Sequence, residues 1–212
     1  MRLYPIELNI KNKKCVVVGG GKVAHRKVAS LLECGAKVHV ISMELNEELN
    51  VLLRAGKIYF YEKKYKSGDL KGAFLVVAAT DSKETNEKVA LEARKLKIMV
   101  NVIDNMELCD YTVPAITRVG DLTISVSTVG KSPSLAKKIR NELSKCYGRE
   151  YGELLNILGS IRSRVMKEVV DSQKRKLLWK SIVNSEIISL IKEDAQDKLH
   201  ELIEKKIEEH KK

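Results

Sequence analysis

Three consecutive glycines, Gly19 to Gly21, stand between an apolar run and a helix-like pattern, and this junction restricts the possible fold more than any other feature of the chain. Gly19, Gly21 and Ala24 satisfy the pattern GxGxx[G/A]. In that pattern the first glycine permits a sharp turn, the second lets a diphosphate approach the backbone, and the third position lets the helix pack closely on the strand. The N–H groups and the dipole of the helix N-terminus also favour an anion. The junction predicts a dinucleotide site, with a plain strand-to-helix turn as the alternative.

Strand-like and helix-like patterns alternate from residue 15 to residue 104. Runs rich in β-branched or aromatic residues predict five strands, at CVVVG (15–19), KVHVIS (37–42), KIYFYE (57–62), FLVVAAT (74–80) and IMVNVID (98–104). One helix is predicted to end at Gly35, and another to begin with Asp81 as N-cap and Glu84 as the second half of a capping box. Nearly continuous apolar strands joined by helices are typical of a parallel sheet that is covered on both faces. We therefore predict an α/β fold with a Rossmann-like, doubly wound parallel sheet.

The pattern changes after Asp104. Two more strands are predicted, at YTVPAI (111–116) and DLTISVST (121–128), with a turn between them. From Ser134 onward the chain is predicted to be helical, with an apolar stripe formed by Leu154, Leu158, Ile161, Val165 and Val169. The predicted organisation is a Rossmann domain over 1–113, a short strand-bearing region over 114–145 and a helical C-terminal domain over 146–212.

The charge of the chain points to an anionic partner. The net charge is +11, and residues 131–180 hold 13 Lys and Arg against 5 Asp and Glu. Such a segment predicts an anionic ligand or, alternatively, a well-solvated helical surface. Aromatic residues make up only 5% of the chain, which leaves little material for base stacking and argues against nucleic acid.

Neither membrane insertion nor secretion is expected. The chain has no run of 18 apolar residues that could cross a membrane. The first residues, MRLYPIELNIKNKK, lack the apolar region of a secretory signal, so the cytoplasm is the expected location. Four scattered cysteines without a CxxC pair predict neither a disulfide framework nor a metal site. Cys15 is expected to be a buried apolar residue, and His25 a residue of the helix surface.

Polar residues follow the predicted strands at the ends where a ligand of a parallel sheet binds. Ser42 ends the second strand, where a carboxylate usually holds the ribose hydroxyls, and Met43 and Glu44 follow it. No arginine stands there to receive a 2′-phosphate, which favours NAD over NADP. Thr80, after the fourth strand, is a candidate cofactor contact. The alternative is that Thr80 only begins the next helix and does not bind the cofactor.

Asp104 is the candidate catalytic residue. It closes NVIDN (101–105) at the end of the fifth strand, where a carboxylate would lie near a nicotinamide ring and could serve acid–base chemistry during hydride transfer. Aspartate after a strand is also a common turn former, and the pattern alone does not separate the two roles. Asp110 is the reserve candidate.

Five segments, taken together, resemble the precorrin-2 dehydrogenase family, which includes the amino-terminal half of siroheme synthases and small stand-alone enzymes. They occur in the family's order and are GGGKVAHRKV (19–28), AATD (78–81), NVID (101–104), CDYTVPAI (109–116) and ISVSTVGKSPSLAKKIR (124–140). The resemblance covers about residues 3 to 180. The length and the helical end are similar to those of the stand-alone type.

The resemblance implies NAD-dependent oxidation of precorrin-2 to sirohydrochlorin, a step of siroheme biosynthesis. Some members also insert ferrous iron, and the sequence leaves open whether this chain does. The family's essential carboxylate maps onto Asp104, and its cofactor contacts map onto Gly21, Lys22 and Val23 and onto Ser42 to Glu44. Members are homodimers, so the strand-bearing region over 114–145 is expected to serve dimerisation and to carry a substrate loop.

The implied substrate carries many carboxylates, which agrees with the basic segment. Thr128 stands where the family has a serine in the pocket loop, and it keeps the hydroxyl. Lys131 and Lys137 are candidate partners for substrate carboxylates, and Ser132 is the predicted N-cap of the helix that follows. The alternative function is an NAD-sensing regulatory module, which would use the glycine turn but would not need Asp104.

Overall fold

The computed structural model describes residues 3–211, apart from the side chain of residue 185. The chain forms two compact units that meet in sequence between Val113 and Pro114. We call them the first and the second unit. The predicted division of the second unit at residue 145 stays a prediction.

The first unit is built on a parallel sheet of five strands, as predicted. The strands are β1 (Lys14–Val18), β2 (Lys37–Ser42), β3 (Ile58–Glu62), β4 (Leu75–Ala78) and β5 (Met99–Val102). Their order is β3-β2-β1-β4-β5, and every neighbouring pair is parallel. This order is that of a doubly wound nucleotide-binding fold, in which the strand order reverses beside β1.

Helices cover both faces of the sheet around β1, β4 and β5, whose residues are accordingly almost all apolar and buried. They are α1 (Lys22–Glu33), α2 (Glu47–Arg54) and α3 (Lys83–Lys95). Buried residues of α1 and α2 pack with Val17, Val38 and Val40. Buried residues of α3 pack with Val16 and Val76 on the other face.

One helix of this unit was missed, and two local predictions were wrong. The sequence did not predict α2, an eight-residue helix with only Leu49 fully buried, because its apolar stripe is too short to show a period. The N-cap of α3 is Ser82, whose hydroxyl accepts a hydrogen bond from the Thr85 N–H, and not Asp81. Glu84 does not close a capping box, since its carboxylate pairs with Lys88 at 2.7 Å.

The second unit combines a hairpin with helices. The antiparallel hairpin consists of β6 (Ala115–Val119) and β7 (Leu122–Val126). It is followed by α4 (Pro133–Cys146), α5 (Arg149–Glu168), α6 (Ser172–Ile182), α7 (Ser185–Lys192) and α8 (Gln196–Lys211). The predicted start of β6 at Tyr111 was wrong, because the paired strand begins only after Pro114, a residue without a donor N–H.

The helices of the second unit enclose their own apolar core. It contains the predicted residues Leu154, Val165 and Val169 together with residues of α6, α7 and α8. None of the helices within the described residues is both long enough and apolar enough to cross a membrane.

Candidate functional site

The glycine turn after β1 leaves no room for side chains at its first two positions. Gly19 has φ +126°, and a Cβ there would lie 2.2 Å from the carbonyl oxygen of Ala79. A Cβ on Gly20 would lie 1.9 Å from the carbonyl oxygen of Glu44. The turn is therefore in direct backbone contact with the segments that follow β4 and β2. Gly20 occupies a variable position of the motif, so the motif does not predict this contact.

The third glycine has a different environment. At Gly21 a Cβ would meet no described atom within 4 Å, because the residue faces open space. Gly21 is also the N-cap of α1, and no described side chain caps that helix or adds an acid to its first turn. An uncapped helix N-terminus beside open space suits an anionic diphosphate, whose oxygens can accept from the free N–H groups.

A cleft of about 1150 Å³ opens at this turn, at the carboxyl ends of the parallel strands. This is large on the scale of small-molecule pockets, which measure roughly 300–1,000 Å³. Eight of the predicted residues line it, namely Gly19, Gly21, Lys22, Val23, Ser42, Glu44, Thr80 and Asp104. The glycine turn and the candidate catalytic carboxylate therefore share one cleft.

Other predicted residues lie elsewhere. Ala24, a residue of α1, is fully buried in the core between that helix and the sheet, which agrees with its expected role in packing. Met43 is 53% exposed and is not among the lining residues. The predicted substrate residues Thr128, Lys131, Ser132 and Lys137 belong to the second unit.

The segment after β2 forms one end of the cleft. Ser42, Glu44, Leu45 and Asn46 line it there. The Asn46 N–H donates to the Gly20 carbonyl at 2.8 Å, and its side-chain oxygen accepts from the Leu49 N–H at 3.0 Å. The side-chain nitrogen of Asn46, Nδ2, is buried and has no hydrogen-bond partner among the described residues. A buried donor of this kind is commonly satisfied by a bound ligand or water, so this end of the cleft fits the hydroxyl groups of a ribose.

The segment after β4 is held by a residue that sequence reasoning missed. The side-chain oxygen of Asn86 accepts from the Thr80 hydroxyl at 2.8 Å and from the Thr80 N–H at 3.2 Å. Its amide donates to the Thr80 carbonyl at 2.9 Å. Asn86 is only 6% exposed, and it shares the buried face of α3 with Val89, Ala90 and Ala93. A polar residue on an otherwise apolar helix stripe was the signal that could have found it.

Asp104 lies in a turn just beyond the end of β5. Its φ is +58°, a left-handed conformation that costs energy for residues other than glycine, although aspartate and asparagine adopt it more readily than most. Its side chain is exposed at the edge of the cleft. Asp110, the reserve candidate, is not among the lining residues, and its carboxylate accepts from the Val100 N–H at 3.0 Å.

The cysteine and the histidine nearest to the glycine turn in sequence, Cys15 and His25, are not among the residues that line the cleft. Cys15 is fully buried in β1, as expected, and burial, with a smaller contribution from Cys34, raises the pKa of its thiol to about 11. His25 is half-buried on α1 and is not among the lining residues. Within residues 3–211, no group of three or more His, Cys, Asp or Glu is arranged to hold a metal ion.

The parallel sheet, the glycine turn and the shared cleft define a dinucleotide-binding protein of the Rossmann class. Comparison with known families agrees with this class, since residues 6–115 match the NAD(P)-binding model NAD_binding_7. Residues 119–145 match the model for the sirohaem biosynthesis protein central region, and residues 150–207 match the sirohaem synthase dimerisation region. The chain belongs to the siroheme synthase and precorrin-2 dehydrogenase family, as the sequence motifs predicted.

Individual relatives support this membership. The chain is 34% identical over 209 residues to siroheme synthase of Nitrosomonas europaea and 35% identical over 208 residues to that of Nitrosococcus oceani. Each match covers 96% of the chain but only 44% of the relative, so the chain spans less than half the length of these proteins. A solved structure of SirC, precorrin-2 dehydrogenase, is 28% identical, with a TM-score of 0.78 over 96% of this chain and 100% of that one.

The different surroundings of Gly19 and Gly21 give the first prediction. Gly21→Ala should leave the melting temperature nearly unchanged, since its Cβ enters open space, but should weaken NAD binding by about tenfold or more because the methyl group occupies the approach of the diphosphate. Gly19→Ala should instead destabilise the fold, since the positive φ alone costs about 1–3 kcal/mol and the Ala79 oxygen blocks the Cβ. Thermal unfolding and titration calorimetry distinguish the two effects. Unchanged NAD affinity in Gly21→Ala would show that the diphosphate binds elsewhere.

Proposed function

We propose that this protein catalyses the NAD-dependent dehydrogenation of precorrin-2 to sirohydrochlorin in siroheme biosynthesis. The observation that carries the proposal is that the glycine turn and Asp104 line a single cleft at the carboxyl ends of the sheet. The likeness to SirC over the whole of that chain supports the same reaction. Incubation of the pure protein with precorrin-2 and NAD, followed by the absorption of NADH and of sirohydrochlorin, tests it directly.

The cofactor proposal rests on the chemistry of the cleft. The N-terminal residues of α1, Gly21 to Val23, offer backbone donors to the diphosphate, and Ser42 and Asn46 offer polar groups to a ribose. When bound, NAD supplies the acceptor for the hydride. Glu44 is the charged residue among those that line the end of the cleft after β2, and its carboxylate would repel a 2′-phosphate. The residues therefore fit NAD better than NADP.

The carboxylate of Glu44 gives a prediction about the choice between NAD and NADP. NAD should bind at least about tenfold more tightly than NADP, a difference of about 1.4 kcal/mol. Glu44→Gln should narrow the difference by improving NADP affinity while leaving NAD affinity nearly unchanged. Titration calorimetry with both nucleotides measures the ratio. Equal affinities in the unmodified protein would contradict this interpretation of the segment after β2.

Asp104 is proposed as the base that accepts the substrate proton. Dehydrogenation removes a hydride from a carbon of the substrate, and a proton must also leave. The exposed carboxylate of Asp104 lies at the edge of the cleft, where a carboxylate oxygen can accept that proton and release it to water. Asp110 cannot easily share this role because its carboxylate is hydrogen-bonded to the backbone of β5.

Replacement of Asp104 tests this role. Asp104→Asn keeps the size of the side chain but removes the base, so kcat should fall about 10²- to 10⁴-fold while the Kd for NAD changes little. Asp81→Asn is the matched control, since Asp81 is another carboxylate that lines the same cleft. Its kcat should stay close to that of the unmodified protein. Full turnover by Asp104→Asn would remove Asp104 from the mechanism, and intact NAD binding without any turnover of the unmodified protein would favour the regulatory module.

The loop before α4 is proposed to bind substrate carboxylates. The Thr128 hydroxyl donates to the Ser132 carbonyl at 3.0 Å and accepts from the Ser132 N–H at 3.2 Å, so it orders the loop. The Ser132 hydroxyl accepts from the Leu135 N–H at 3.2 Å, so Ser132 is the N-cap of α4, as predicted. Lys131 and Lys137 are exposed and free to approach an anion.

Removal of charge from this segment should weaken substrate binding. In the double variant Lys137→Gln and Lys138→Gln, the KM for precorrin-2 should rise severalfold and depend less on salt, because two attractive charges are lost, while kcat stays nearly unchanged. The control is the double variant Lys176→Gln and Lys205→Gln, which removes the same charge at exposed positions of α6 and α8. If KM rose equally in the two double variants, the net charge of the protein, and not Lys137 and Lys138 in particular, would account for the change.

The proposed functional form is a cytoplasmic homodimer. The match of residues 150–207 to a dimerisation region supports the homodimer, and light scattering on the purified protein measures it. Within residues 3–211 none of the four cysteines forms a disulfide, and the cytoplasm is a compartment that keeps thiols reduced. Some members of the family also insert ferrous iron, and an assay with sirohydrochlorin and ferrous ion tests that activity separately from dehydrogenation.

A further inference from the structure

The edge strand β5 has one side that no other strand covers, because it is the last strand of the sheet. Residues 109 and 110 pair with that side instead. The Asp110 N–H donates to the Val100 carbonyl at 2.9 Å, and the Val100 N–H donates to the Asp110 carboxylate at 3.0 Å. Val100 is fully buried and Val102 is 3% exposed, so their polar backbone groups need partners.

At Val102 the partner is the thiol of Cys109. The Val102 N–H donates to the sulfur at 3.2 Å, and the thiol lies 3.2 Å from the Val102 carbonyl oxygen, to which it can donate. The same sulfur lies 3.2 Å from the carbonyl oxygen of Asn105 and 3.5 Å from the side-chain nitrogen of Asn101. One sulfur atom thus contacts the backbone on both sides of Asp104.

The turn between these two contacts needs such a restraint. Asp104 holds a left-handed backbone with φ +58°, and conformations of this kind persist only where the surroundings fix them. On one side of Asp104, the Ile103 N–H donates to the Ala78 carbonyl at 3.0 Å and continues the sheet. On the other side, the Cys109 sulfur contacts Asn105 directly, and the Cys109 N–H donates to the Met106 carbonyl at 3.2 Å.

We infer that Cys109 is a positioning residue, whose thiol holds the turn so that the Asp104 carboxylate faces the cleft. The hydrogen bonds of Cys109 are features of the structure, whereas their effect on catalysis rests on the proposed function. Tyr111 secures the segment further along, since it is packed against the core and its carbonyl accepts from the Asn101 side chain at 3.1 Å. Cys109 itself is not among the residues that line the cleft, so its effect on the reaction would pass through Asp104.

Two substitutions of Cys109 separate its hydrogen bonds from its volume. Cys109→Ala removes every side-chain contact to Val102 and Asn105, and kcat should fall about 10- to 100-fold, since small displacements of a catalytic group have effects of this size. The KM and Kd for NAD should change less than about twofold, because the glycine turn is untouched. Cys109→Ser keeps a donor and an acceptor on a shorter side chain, so it should recover part of the lost kcat.

Hydrogen exchange gives a second measurement that needs no substrate. In Cys109→Ala the amides of residues 102–105 should exchange faster than in the unmodified protein, while those of β1 and β4 stay protected. Two cysteine controls are available. Cys15→Ala truncates a buried cysteine of β1, so it should lower stability without changing the exchange rates of the turn or the kcat of the folded enzyme. Cys146→Ala alters an exposed residue and should change none of these three quantities.

The outcomes are distinct. The inference would be overturned if Cys109→Ala had the same kcat as the unmodified protein and the same exchange rates at residues 102–105. It would also be overturned if Cys109→Ser lost as much kcat and as much exchange protection as Cys109→Ala. If the unmodified protein does not oxidise precorrin-2, the proposed function fails, and the exchange rates alone then decide whether the thiol holds the turn. If Cys109→Ala does not fold, the Cys109→Ser variant supplies both measurements.

Discussion

The candidate site depends on the contact between the backbone of Gly19 and the carbonyl group of Ala79. A side chain at residue 19 would overlap that oxygen, and the positive φ of Gly19 turns the chain directly into α1. The same turn contacts the Glu44 carbonyl through Gly20. Because these contacts join the ends of β1, β2 and β4, they fix the positions of the uncapped helix N-terminus, of Ser42 and of Thr80 around one cleft.

The cleft combines a place that suits an anionic group with two carboxylates and one strained turn. The helix N-terminus and its free N–H groups stand beside Gly21, while carboxylates stand at Glu44 and Asp104. The proposed base, Asp104, lies in an exposed turn after β5, which holds it at the cleft at the cost of an unfavourable backbone conformation. The partly buried thiol of Cys109 contacts the backbone of Val102 and of Asn105, and we infer that these contacts hold the turn without entering the cleft.

Much of the first unit could be predicted from the sequence, because its signals are local. Apolar runs, the glycine turn and helical periods gave all five strands, α1 and α3, and the strand ends then placed Ser42, Thr80 and Asp104 in one region. The motif order also predicted the family correctly. What the sequence missed are contacts made by irregular segments, where no period determines the partner. Gly20 meets Glu44, Asn86 bonds to Thr80 and Cys109 bonds to Val102. Asn86 stands out as a polar residue on an apolar helix stripe, but that pattern does not identify Thr80 as its partner. The short helix α2 was missed for a local reason, since a single fully buried residue leaves no period to detect.

A crystal structure of the protein with NAD and a tetrapyrrole bound would show whether one cleft brings a nucleotide and Asp104 together. We expect the diphosphate at the first residues of α1, the adenosine ribose beside Ser42, and the nicotinamide ring against the turn that carries Asp104. A nucleotide bound away from Gly21, or a nicotinamide ring on the side of the sheet away from Asp104, would contradict it.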